Sequence, residues 1–122
     1  MMILKSDGAV ISTDARCIQN IIGQMRGLMF KRHIGDNYAL IFYFKKKRIV
    51  DLHMLFVPFS IDVLLLDGDL VIMDTATLRP WVGYYKSKKK GTYVVEMKAG
   101  VVVRCGLKVG DRVCFAMQNL HI

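Results

Sequence analysis

Proline is nearly absent from this sequence, with two in 122 residues, and no glycine–serine tract or internal repeat marks a linker or an array. With 53% hydrophobic residues the chain is also far from a disordered composition. A length typical of one folding unit then predicts a single globular domain over residues 1–122. Long clean apolar runs are missing too. The longest, residues 52–66, is broken by His53, Pro58, Ser60 and Asp62, short of the roughly 20 apolar residues a bilayer span needs. The opening "MMILKSDGAVISTD" has no basic start, long apolar centre or small-residue cleavage site. The expectation is a cytoplasmic chain without a transmembrane segment.

Cysteine is scarce. Cys17, Cys105 and Cys114 are widely spaced, without a CxxC pair, and read as buried reduced thiols. His33, His53 and His121 show no ligand spacing, so no metal is implied. No Gly-x-Ser-x-Gly, HExxH, P-loop or GxGxxG motif is present. The common signatures of hydrolases, metalloproteases and nucleotide-dependent enzymes are therefore absent, and no cofactor is implied.

Positive charge is plentiful. Eighteen basic residues face 10 acidic ones, a net charge of +8. Much of it lies in two runs: Lys45, Lys46, Lys47 and Arg48, then Lys86, Lys88, Lys89 and Lys90 around Ser87. Such runs meet anions, phosphate backbones or membrane surfaces, or simply solvate loops.

The pattern of apolar residues predicts one helix and many strands. In "TDARCIQNIIGQMRGLM" (residues 13–29), Thr13 or Asp14 is placed to cap a first turn. Helical spacing then gathers Cys17, Ile18, Ile21, Ile22, Met25, Leu28 and Met29 within an arc of about 140°. Gly23 and Gly27 weaken that helix, so tertiary packing must hold it. "YALIFYF" and "IVDLHMLF" read as strands of a hairpin whose tip is the first basic run. "IDVLLLDGDLVIM" reads as a second hairpin, with Gly68 supplying the positive φ of its turn. "TYVVEM", "GVVVRC" and "RVCFAM" add three more strands. The fold class expected is α+β: a strongly curled, barrel-like, mostly antiparallel sheet of six to eight short strands with one flanking amphipathic helix.

Several blocks carry a resemblance: "RGLMFK", "ALIFYF", Met54 with Asp62 eight positions on, "YVVEMKAG" and "VGDRV". In this order they resemble the signature of the family known as domain of unknown function 192, from about Ile11 to Phe115. The resemblance implies a small β-rich fold with a flanking helix and no agreed activity. Where the family often has an Asn-Thr pair after the methionine, this chain has Phe56 and Val57, so that pair's polar role is not carried over.

Two acids stand out, because Asp62 and Glu96 sit in strongly apolar strands, where a carboxylate needs partners or a raised pKa. The stretch "HMLFVPFSID" (residues 53–62) places His53 and Asp62 at the ends of an apolar run, and "TLRPW" offers Arg79 and Trp81. Three readings follow. The favoured one is a non-catalytic binding module in which His53, Asp62, Arg79, Trp81 and Glu96 line the open end of the sheet and take a small polar ligand or peptide. The second is nucleic-acid or polyanion binding through the two basic runs, with Tyr84, Tyr85, Phe42, Tyr43 and Phe44 available for stacking. The third, a small hydrolase using His53 with Asp62 or Glu96, rests on the fewest signals. Exposed edge strands would also allow a dimer.

Overall fold

The run Ile61–Leu66 is buried at all six positions, which requires cover on both faces of its sheet. The computed structural model, which describes residues 1–18, 28 and 31–117, supplies that cover. The elements are β1 (Met2–Lys5), β2 (Val10–Ser12), β3 (Asp14–Ile18), β4 (Tyr38–Arg48), β5 (Asp51–His53), β6 (Ile61–Leu66), β7 (Ile72–Leu78), β8 (Tyr84–Lys86), β9 (Gly91–Lys98), α1 (Val101–Cys105) and β10 (Val113–Ala116). The central sheet has the order β3-β4-β9-β6-β7, antiparallel except where β3 runs parallel to β4.

Alternation along these strands divides the core in two. Leu40, Phe42, Val63, Leu65 and Val94 point to one face, where they meet Val50, Leu52, Met54 and Val57. Ala39, Ile41, Leu64, Leu66, Val95 and Met97 point to the other and meet Ile3, Ile11 and Val113 of the sheet β10-β1-β2, with Val101 and Leu107. Each such Leu or Ile contributes about 1.5–3 kcal/mol by leaving water. The result is mostly sheet with one short helix among the described residues, an α+β or mainly β architecture. All three described sheets are open: no strand order returns on itself, and the barrel-like closure expected from the sequence is not among the described pairings.

The two basic runs are brought together by a connection the sequence pattern did not predict. Instead of forming a hairpin with β5, β4 pairs with β9 and β3, while β5 pairs with β8. The β4–β9 register shifts between Tyr43 and Arg48, and Arg48 comes opposite Gly91. Beyond it, the Ser87 N–H donates to the Val50 carbonyl at 2.8 Å, and the Val50 N–H to Ser87 Oγ at 2.8 Å.

Other expectations also change. Asp14–Ile18, the predicted start of the helix, is strand β3, because all five residues find partners along β4; the rest of that helix, apart from Leu28, lies outside the described residues. "GVVVRC" holds α1 rather than a strand, despite its valines: Gly100 adopts φ 108° at the N-cap and Gly106 φ 62° at the C-cap, both left-handed conformations that suit glycine. The β6–β7 hairpin forms as expected, but Leu70, at φ 65°, takes the left-handed position in its turn and Gly68 does not. The Asp67 carboxylate holds that turn, accepting from the Asp69 and Val71 N–H groups at 2.8 and 3.1 Å. Cys17 and Cys114 are exposed and Cys105 is half-buried, so the three are not the buried thiols expected, and none is in a disulfide. No helix among the described residues is long and apolar enough to cross a membrane.

Candidate functional site

The period of two that builds the core also separates the two buried acids. Asp62 alternates with Leu64 and Leu66 and faces α1; Glu96 alternates with Val94 and faces β5. Asp62 is 1% exposed, and three donors hold it. Its Oδ1 accepts from Thr77 Oγ1 at 2.7 Å, and its Oδ2 from the Gly100 and Val102 N–H groups at 3.0 and 2.9 Å. A carboxylate against the first amides of α1 satisfies donors that a helix start leaves open. Asp62 thus joins β6, β7 and α1.

Glu96 is 6% exposed and makes no hydrogen bond or ion pair with any described residue. It lines a cavity with His53, Leu28, Leu52, Met54, Val57 and Ile61 that has room for about 20 Å³. Burial pushes its carboxyl up from 4.5 to about 7. His53 Nδ1 accepts from the Leu55 N–H at 3.3 Å, which leaves Nε2 as its remaining polar atom. A space of this size holds a water molecule and not an organic substrate. His53 and Glu96 therefore come together, while Asp62 lies across the sheet from them.

The stretch "HMLFVPFSID" is not one strand. His53 ends β5, Ile61 and Asp62 start β6, and the chain between them forms a tight turn closed by the Val57 N–H on the Met54 carbonyl at 2.9 Å. A second turn, residues 79–83, lies against it. Trp81 N–H donates to the Val57 carbonyl at 3.1 Å, Met54 N–H to the Gly83 carbonyl at 3.0 Å, and Gly83 N–H to the Arg79 carbonyl at 3.0 Å. Only glycine fits at position 83, because a Cβ would lie 2.6 Å from the Arg79 carbonyl oxygen. Each turn holds one non-glycine residue in the left-handed region, Phe56 at φ 63° and Trp81 at φ 64°, a strained conformation for such side chains. The two rings meet edge to face, with centroids 5.8 Å apart. Trp81 is 51% exposed and Val82 75%; Arg79 is exposed and forms no salt bridge among the described residues. Sequence reasoning missed Phe56, although the departure from the family's Asn-Thr pair marked its position.

A two-stranded ribbon connects these turns to the basic runs. Asp51 pairs with Lys86 and His53 with Tyr84, all four exposed, while Leu52 and Tyr85 between them face inward. The Asp51 carboxylate beside the Tyr84 hydroxyl raises the phenol's pKa. Tyr85 donates instead to Asp74 Oδ2 at 2.7 Å, and burial followed by that bond raises its pKa as well. Phe42 and Phe44 are core residues, so of the rings expected to be available for stacking, Tyr84 is the one held out on the ribbon. At the ribbon's far end Lys45, Lys46, Lys47, Arg48, Lys86, Lys88, Lys89 and Lys90 are all exposed, and none is in a salt bridge among the described residues. Arg48 lies over the Phe44 ring, 5.5 Å from its centroid. Lys88 and Lys89 also line an open groove of about 340 Å³ with Leu65, Met73, Asp74 and Val109.

The fold recurs in other proteins. Two solved structures share the fold. A Sinorhizobium meliloti protein proposed as a transcription regulator superposes with a TM-score of 0.80 at 23% identity, covering 93% of this chain and 89% of that one. A protein of unknown function from Novosphingobium aromaticivorans gives 0.78 at 21%, covering 93% and 82%. At these identities the likeness is one of fold alone. In sequence, a UPF0127 protein of Thermococcus sibiricus is 30% identical over 121 residues, 98% of this chain and 77% of the relative. A UPF0127 protein of Pyrococcus furiosus is 31% identical over 113 residues, 91% and 94%. Residues 2–115 match the family described as "Uncharacterized ACR", and the chain accordingly belongs to domain of unknown function 192.

Proposed function

We propose that the protein is a non-catalytic binding module whose partner is a polyanion, held at the basic end of the β5–β8 ribbon. One observation carries this reading. The two runs, separated in sequence by residues 49–85, are held side by side by the Arg48–Gly91 pairing and the Val50–Ser87 bonds. Their eight cations equal the net charge of the whole chain, because the other ten basic residues balance the ten acidic ones. A charge distribution this lopsided attracts an extended anion to one end of the molecule. The reading built on a small polar ligand has less support: Asp62 has its donors within the fold, and His53 and Glu96 share only a water-sized space. The hydrolase reading meets the same lack of room.

The test is retention on heparin and binding to labelled oligonucleotides across a salt series. The wild type is compared with a variant in which Lys45, Lys46, Lys47, Lys88, Lys89 and Lys90 are changed to serine. The wild type should bind with a steep salt dependence. The variant's log–log slope should be shallower by about 0.7 for each lost contact to a single strand. A wild type that passes through heparin unretained near physiological salt would overturn the reading.

A further inference from the structure

The aromatic turns beside the ribbon have no part in a purely electrostatic surface. From Trp81 the chain runs through Tyr84 to Lys86, and from Phe56 back through His53 to Asp51 and the first basic run. At about 3.3 Å per residue, Tyr84 and Lys86 lie roughly 7 Å apart on the same outer face of β8. The order along that face is therefore indole, phenol, ammonium and then the lysine runs. Trp81 is held out by a left-handed backbone and propped edge-on by Phe56. Tyr84 stays 59% exposed, with the Asp51 carboxylate near enough to raise its pKa. Both turns are fixed by hydrogen bonds to each other, so the rings are presented without further ordering.

A flexible strand that alternates charged phosphates with flat bases matches this order, while a polyanion without bases engages only the lysines. We infer that the partner is single-stranded nucleic acid, with its phosphates on Lys45, Lys46, Lys47, Arg48 and the Lys86–Lys90 run and its bases stacked on Trp81 and Tyr84. This rests on the polyanion reading and extends it. Duplex is the poorer partner, because its bases are already stacked and their faces are not available to the two rings. One carboxylate, Asp51, lies on the same face, but Lys86 is its cross-strand neighbour.

Trp81 is the chain's single tryptophan, so its emission reports on the site directly. The 122-residue chain is titrated with oligothymidylate and oligouridylate of about twelve nucleotides, with a duplex of the same length, with heparin, and with vesicles of phosphatidylserine and phosphatidylcholine in equal parts. Stacking predicts that the single strands quench Trp81 emission and that heparin does not. Trp81→Ala should weaken single-strand binding, read by anisotropy of the labelled oligomer, by about tenfold or more. Tyr84→Ala should weaken it less, Trp81→Phe should restore most of it, and heparin retention should stay at the wild-type value in all three. If the lysine variant loses heparin and oligomer together while Trp81→Ala and Tyr84→Ala bind as the wild type does, the polyanion reading stands and the stacking inference falls. If vesicles shift Trp81 emission to the blue and the oligomers leave it unchanged, the partner is an anionic membrane and the inference is overturned. If heparin is not retained by the wild type, both fall together.

Discussion

Asp62 and Glu96 are two acids in neighbouring strands of one sheet, both almost completely buried, and they are opposite in kind. Met97 and Glu96 pair with Asp62 and Val63 respectively, so the two acids are one step apart in register and therefore on different faces. Asp62 meets an element that ends in unpaired amides, and three donors surround it. Among the described residues, Glu96 meets His53, apolar side chains and a water-sized space. A buried carboxylate is therefore not a functional signal by itself; what faces it decides whether it is a structural anion or a group whose proton is easily gained or lost.

The largest effect expected follows from the bonded member of the pair. Asp62→Ala leaves the Thr77 hydroxyl and the Gly100 and Val102 amides without their acceptor, and bonds to a charged group are the costly ones to lose. The loss should be about 3–5 kcal/mol by urea denaturation. Hydrogen exchange should quicken at Val102 and along α1 before it does along β6. An Asp62→Ala protein with wild-type stability would remove the distinction between the two faces.

Glu96 should act in the opposite direction and only above a certain pH. Its folded-state pKa, near 7, lies above its ordinary 4.5. Between these values the native state holds a proton that the unfolded chain has released, so stability falls as pH rises from about 4.5 to 7 and then levels off. The span is on the order of 3 kcal/mol. Glu96→Gln should abolish this slope, matching the wild type near pH 4 and exceeding it at pH 8 in thermal denaturation. A wild type with no such slope would mean that the cavity solvates the carboxylate as well as water does.

The comparison also shows what was legible in the sequence. β4, β9, β10 and the place of the β6–β7 turn were legible because period and turn signals are local, although the left-handed residue of that turn is Leu70 rather than the expected Gly68. The prominence of Asp62 and Glu96 was legible as well, from charge within apolar strands. Their separation was not, because it depends on the register of β6 against β9; in "HMLFVPFSID" Pro58 marked a break or bend, but not that the stretch joins two separate strands. The helix in "GVVVRC" was hidden by its valines, whose strand preference gave way to two left-handed glycines and a carboxylate 38 residues upstream. The pairing of β5 with β8 is non-local in the same way. Hence the basic runs were visible as runs, and their meeting at one end was visible only in the fold.

The smallest effect divides Asp62's three bonds among their donors. Thr77 lies on the edge strand β7, directly opposite Asp62, and its hydroxyl is the one side-chain donor of the three. Thr77→Val keeps the β-branched shape and the strand preference while removing that donor. About 1 kcal/mol should be lost, with a non-additive term of similar size when it is combined with Asp62→Ala. If the two losses instead add fully, the Thr77 bond does not depend on Asp62, and the carboxylate's role reduces to the two amides of α1. If Thr77→Val alone approaches the cost of Asp62→Ala, the carboxylate serves mainly to hold β7 to β6. In that case α1 owes its position to Val101 and Leu107 in the core, and the contrast between the two faces rests on a hydroxyl rather than on a helix end.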